Sequence, residues 1–150
     1  MEECRRMTKP IMIIHVCLER EKISRMKSAC GDVTMLPFTG MVESELFTGT
    51  ILPGGVDVQE TDPTGCRHLC ARYMLEGVDR EGNNCRIYVE NNGWFRTDDP
   101  KLTACPKFMT DSPVLFDYLT RPVFRSEVHG TEAGVDIHIF DTTLEKEHHG

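Results

Sequence analysis

The sequence predicts an all-β protein, a closed antiparallel β-barrel of about eight to ten strands with one short helical turn. Three observations carry that expectation. Short runs of β-branched, aromatic and alternating residues recur at close spacing along the chain. Clusters of Gly, Pro, Asn and Asp stand between them as turns. Nowhere does a helix-length stretch alternate with strands, so the chain offers no βαβ units and no parallel sheet.

Residues 11–18, with Ile11, Ile13, Ile14 and Val16, read as a first, buried strand. Residues 19–29 are charged, with Ile23, Met26 and Ala29 spaced three apart, and are expected to form a helix or a long loop ending at Gly31. Pro37 within 33–39 marks the next strand as lying near an edge or a bulge, because proline donates no ladder hydrogen bond. Residues 45–52 form a strand that Pro53, Gly54 and Gly55 stop, and 56–61 continue the sheet beyond the bend.

A turn at 62–65 precedes the longest strand signal, 67–78. Here Leu69, Ala71, Tyr73 and Leu75 share one face, while His68, Cys70, Arg72 and Met74 share the other. Residues 79–83 make a hairpin loop, and 84–91 return beside it. Asn92-Gly93 is expected to turn the chain, and 98–107 to form an irregular polar loop. Pro113 opens one helical turn carrying Leu115, Phe116 and Leu119. Residues 123–128 and 134–140 make the last hairpin.

At 150 residues the chain is expected to be one barrel domain, with 1–9 and 142–150 as flexible tails. A domain of that length buries a core without staples. Acidic residues number 24 against 17 basic, a net charge of −7, and no basic surface for nucleic acid or an anionic membrane is visible. The seven cysteines are odd in number and form no CxxC pair, so free thiols in a cytoplasmic protein are expected. His15 interrupts the apolar run Ile11-Met12-Ile13-Ile14, charges follow at once, and no small-residue cleavage site appears. That run is a strand rather than a signal peptide. A homo-oligomer is the expectation from base rates.

The run Phe47-Thr48-Gly49-Thr50-Ile51-Leu52-Pro53-Gly54-Gly55-Val56-Asp57-Val58-Gln59 is followed by Ala71-Arg72-Tyr73-Met74-Leu75 and Ile87-Tyr88-Val89-Glu90-Asn91-Asn92-Gly93. Phe95-Arg96-Thr97, Phe108, Phe116-Asp117-Tyr118-Leu119 and Val123-Phe124 complete the series in the same order. Together, over residues 33–140, these segments resemble the domain-of-unknown-function family 3237, also called uncharacterised protein family 0311. The resemblance implies a closed antiparallel β-barrel, often with a central cavity, and no settled reaction. The charged segment 19–27 and an expanded loop at 97–107 depart from the pattern, so the rim of any cavity is expected to be this chain's own.

Cys66, His68 and Cys70 line up at i, i+2 and i+4 and are ligand types that suit zinc. The outer two lie about 13 Å apart along an extended strand, so only neighbouring pairs could share a metal. Buried thiols beside a rim histidine are the simpler reading, and no metal is assigned. No nucleophile elbow, P-loop, HExxH or GxGxxG is present, and no cofactor is expected. His148 and His149 are read as a chain end.

Charges set inside apolar strands are better candidates. Asp57 stands between Val56 and Val58, and Arg72 between Ala71 and Tyr73. An exterior place on a half-solvated sheet is the plain alternative for each. Gln59 shares Asp57's face, and Tyr88 and Asn91 bring hydrogen-bonding groups on the following strand. If that face lines a lumen, Asp57 and Arg72 share one cavity with Gln59 and Asn91, walled by Tyr73, Phe108 and Phe116.

Three functions remain open on the sequence. One is a barrel that binds a small, largely apolar organic molecule in its interior. Another is a cofactor-independent isomerase, lyase or hydrolase, with Asp57 as base and Arg72 or Tyr88 stabilising an oxyanion. The third is an oligomeric interaction protein with a filled barrel. Whether the interior is hollow or filled discriminates among them.

Overall fold

The structure is a computed structural model that describes residues 9–96 and 103–147; Cys4, residues 97–102 of the expected loop and the tail histidines lie outside the described residues. The strands are β1 (Met12–Leu18), β2 (Ser24–Ser28), β3 (Gly31–Glu43), β4 (Phe47–Ile51), β5 (Val56–Thr61), β6 (Arg67–Asp79), β7 (Asn84–Phe95), β8 (Thr103–Thr110), β9 (Phe124–Gly130) and β10 (Gly134–Asp141). A 3-10 turn at Arg20–Lys22 and two short helices, α1 (Phe116–Leu119) and α2 (Thr142–Glu147), complete the elements. No helix among the described residues is long and apolar enough to cross a membrane.

The hydrogen-bonded order runs β1-β10-β9-β8-β7-β6-β4-β3, and antiparallel pairing of β1 with β3 closes the circle. The result is the expected barrel, closed by eight strands with two more added. One addition, β5, continues the line of β4, since both pair with β3 on one side and β6 on the other. The break between them falls at Pro53-Gly54-Gly55, where Gly54 takes a φ of 107° that side-chain-bearing residues rarely adopt.

The other addition corrects the expected helix or loop at 19–29. After the 3-10 turn, β2 pairs with β3 from Ser24↔Met35 to Ser28↔Gly31. All five of its side chains are exposed, so backbone pairing rather than a buried face holds it. Pro37 proves to lie inside a strand paired on both sides. It falls in the gap between the last β1 partner, Phe38, and the first β2 partner, Met35. Its carbonyl there accepts a 2.9 Å bond from the Glu19 amide, so the missing N–H interrupts no ladder.

Three more expectations are corrected. Asn92 and Gly93 do not turn the chain, because β7 runs on to Phe95 with Gly93 paired to Leu69 and Ala104. Neighbours on both sides outweigh the local turn preference. Residues 103–107, expected as loop, belong to β8. Part of the expected tail is α2, whose first turn is held by a 2.9 Å bond from the Thr143 amide to the Asp141 carboxylate.

Inward side chains fill one half of the barrel. Ile14, Val42, Phe47, Leu75, Ile87 and Ile139 are buried there, and Leu115 and Leu119 plug the end. Ser112 ties that plug down: its hydroxyl donates to Asp79 at 2.8 Å and accepts from the Leu115 amide at 3.1 Å. Asp79 also accepts the Glu81 and Asn83 amides at 3.0 Å, so the β6–β7 hairpin and the plug share one buried carboxylate. Around the circle the thinnest seam is β8–β9, whose ladder comes down to the single pair Ala104↔Ser126 among the described residues.

Candidate functional site

The other half of the barrel is hollow. It encloses a cavity of about 610 Å³, within the range of small-molecule sites. Leu36, Phe38, Leu69, Ala71, Val128 and Val135 give it apolar walls. Polar groups enter the interior from two places, Asp57 with Gln59 and Asn91 with Ser126, and Glu127 and His129 stand at the rim.

Strand register puts them there. Asp57 is opposite Leu36 on β3 and Ala71 on β6, and Ala71 is opposite Asn91 on β7. Directly paired residues point to the same side, so Asp57, Ala71 and Asn91 all face inward at one level. The two polar stations lie two strand spacings apart, about 10 Å along the sheet, with only the Ala71 methyl between them. Leu69, Tyr73 and Leu75 continue the inward face of β6, and Phe38 packs edge-to-face on Tyr73 at 5.2 Å to form a floor.

Asp57 is the group in tension. Gln59 Nε2 donates to its Oδ2 at 2.9 Å, while Oδ1 is buried without a hydrogen-bond partner among the described residues. Burial pushes the carboxyl above its ordinary value, and the Gln59 bond and the His68 ring pull it back only in part. Asn91 and Ser126, by contrast, satisfy each other at 3.1 Å. The Tyr73 hydroxyl is the other buried polar atom without a partner among the described residues, and burial raises its pKa.

Asp57→Asn is therefore expected to stabilise the fold at neutral pH, by about 1 kcal/mol, because it removes a buried charge while keeping an acceptor for Gln59. The sign follows from the raised folded-state pKa. The wild-type carboxyl is at no disadvantage below its unfolded value near 3.8, and loses stability as pH rises through the folded value. Urea unfolding of both proteins at pH 7 and at about pH 4 checks this. A variant less stable than wild type at pH 7 would contradict it.

The expected shared cavity for Asp57 and Arg72 is corrected by the same register. Arg72 pairs with Val56, one residue from Asp57, and so points outward. Its side chain is 63% exposed and lies 3.7 Å from Glu90. Tyr88 is on the outer face too, its hydroxyl donating to Glu90 at 3.3 Å. Phe116 is 53% exposed, because Leu119 and the N-cap residue Leu115, one helical turn apart, take the inward side of this turn. Phe108 and Tyr73 are buried below the cavity, Phe108 against Phe124 at 5.4 Å, and form its base rather than its walls. Of the sequence candidates, Asp57, Gln59 and Asn91 line the cavity.

The reading from residues missed Ser126, Leu36 and Val128. Ser126 carried a usable signal, a lone hydroxyl alternating with Phe124 and Val128 on the inward face of β9. His68 faces outward, bonded to Asn92 at 2.9 Å and stacked on Trp94 at 4.7 Å. Among the described residues no three His, Cys, Asp or Glu side chains are placed to hold a metal ion.

A closed antiparallel barrel, packed at one end and hollow at the other, with a buried and half-partnered carboxyl in an apolar lumen, defines the class of protein. The chain belongs to the family described as protein of unknown function (DUF3237), which matches residues 7–136. A UPF0311 protein of Clostridium acetobutylicum is 33% identical over 117 residues, covering 77% of this chain and 72% of that protein. A crystal structure of a protein of unknown function from Clostridium acetobutylicum ATCC 824 has a TM-score of 0.72 at 23% identity, covering 89% of this chain and 96% of that one. A β-barrel-like protein from Acinetobacter baumannii AYE has a TM-score of 0.69 at 20% identity, covering 89% and 94%. At those identities the two structures speak for the fold alone.

Proposed function

We propose that this protein binds a small, largely apolar organic molecule in the hollow half of its barrel. The observation that carries the reading is the cavity of about 610 Å³, walled by aliphatic and aromatic side chains around one carboxyl with an unpartnered oxygen. Protein interiors pack to crystal density, so a lumen of that size forgoes dispersion contacts that larger side chains would supply. Retaining it is understandable if an occupant supplies them. A filled barrel, the premise of a purely interacting protein, does not fit these walls. The enzyme reading is weaker because Arg72 and Tyr88 lie outside, which leaves Asp57 without its expected oxyanion partners. Three exposed, unbridged thiols, Cys17, Cys30 and Cys105, favour a reducing compartment, in keeping with a cytoplasmic protein.

Binding of the neutral dye Nile red, followed by its fluorescence, tests the reading. Ala71→Phe sets a ring between the two polar stations and is expected to weaken dye binding more than about tenfold. Arg72→Ala, on the outer face, is expected to leave it within about twofold. Equal dye binding by wild type and Ala71→Phe would place the dye elsewhere and defeat the proposal.

A further inference from the structure

We infer that the ligand carries one protonated amine, set against the Asp57 carboxyl, on an apolar body; this rests on the binding reading above. Among the described residues, those lining the cavity include no Lys or Arg. They include two acids, Asp57 inside and, at the rim, Glu127, which Arg125 already pairs at 2.6 Å. The one lining histidine, His129, is half-exposed and faces Glu127 at 3.2 Å, so it offers no unpaired positive charge to a ligand. A carboxylate or phosphate ligand would therefore bring a second negative charge beside Asp57 in apolar surroundings, with only the His68 ring on the far side of the strand, and no lining Lys or Arg among the described residues, to offset it.

A neutral alcohol would fill the free acceptor of Asp57 but leave its charge uncompensated. An ammonium group does both, and a charge-assisted hydrogen bond is roughly twice as strong as a neutral one. The Asp57 side chain has the freedom this needs, because the last torsion of an aspartate is broad and lets Oδ1 swing toward the lumen. Asn91 and Ser126 already bond to each other and make no comparable demand. The rest of the ligand meets Leu36, Phe38, Leu69 and Val135, which favours an aliphatic or aromatic body.

Three probes on one skeleton test this: naphthylmethylamine, naphthylmethanol and naphthoate, each displacing Nile red at pH 7. The amine is expected to bind at least about tenfold tighter than the alcohol, and naphthoate most weakly. Asp57→Asn, its fold checked by circular dichroism, is expected to bring the amine down to the alcohol's affinity and leave the alcohol unchanged. An alcohol that binds as tightly as the amine overturns the inference, as does an amine preference that survives in Asp57→Asn. If no probe displaces a dye whose binding still depends on Ala71, the amine inference falls while the cavity reading stands. If dye binding ignores Ala71→Phe, both fall.

Discussion

Leu75→Ala is expected to cost about 4 kcal/mol, and Leu69→Ala, on the same face of the same strand, less than about 1.5. Leu75 is completely buried in the packed half of the barrel, where its removal leaves a hole that strand backbones cannot close. The loss then combines the transfer of the side chain with the cavity left behind. Leu69 already borders the lumen, so truncating it enlarges an existing space and forfeits contacts on one side only. Urea unfolding with a shared denaturant slope measures both losses. Equal losses would mean that the barrel is packed evenly from end to end, and the ligand-binding reading would lose its premise.

Gly77→Ala is expected to destabilise by about 3 kcal/mol or more, although it adds a single methyl group. Gly77 on β6 pairs directly with Gly49 on β4. A Cβ at Gly77 would stand 2.0 Å from the Thr48 carbonyl oxygen and 2.5 Å from the Gly49 Cα. Those neighbours are backbone, so no side-chain rotation relieves the clash, and the two strands must separate. The requirement is close approach rather than an unusual backbone angle, since neither glycine has a positive φ. Gly130→Ala is the matched comparison. Nothing lies within 4 Å of a Cβ there, and the change is expected to stay within about 0.5 kcal/mol. Thermal and urea unfolding of the two variants decide the matter, and a tolerated Gly77→Ala would mean that the β4–β6 approach is looser than described.

Several features of the barrel are legible in residues alone, because they depend on covalent geometry. Side chains alternate at a period of two, so Leu69, Ala71, Tyr73 and Leu75 had to share a face whatever β6 met. Asp57 and Gln59 had to share one as well, and their 2.9 Å bond is the consequence. Proline and glycine punctuation located the β4–β5 break, and the coil of apolar strands without intervening helices pointed to the barrel.

Other features depend on pairing between distant segments, and local composition is blind to that. Whether Arg72 joins Asp57 turns on a single residue of register: Asp57 meets Ala71, and one step of slip would have brought the arginine inside. Exposed β2 exists because β3 offers it an edge, and Asn92-Gly93 stays extended because β6 and β8 flank it. Phe116 faces out because Leu115 and Leu119 fit the barrel end better. The hollow itself is a sum over strands, the small side of Ala71, Gly93 and Ala104 falling on neighbouring strands of one half while larger residues fill the other. The sequence by itself determined the alternation, the turns and the all-β class, since these follow from backbone geometry within each segment. Only the tertiary structure decided that Asp57 faces the lumen and that a lumen exists, because both depend on how strands far apart in the chain align.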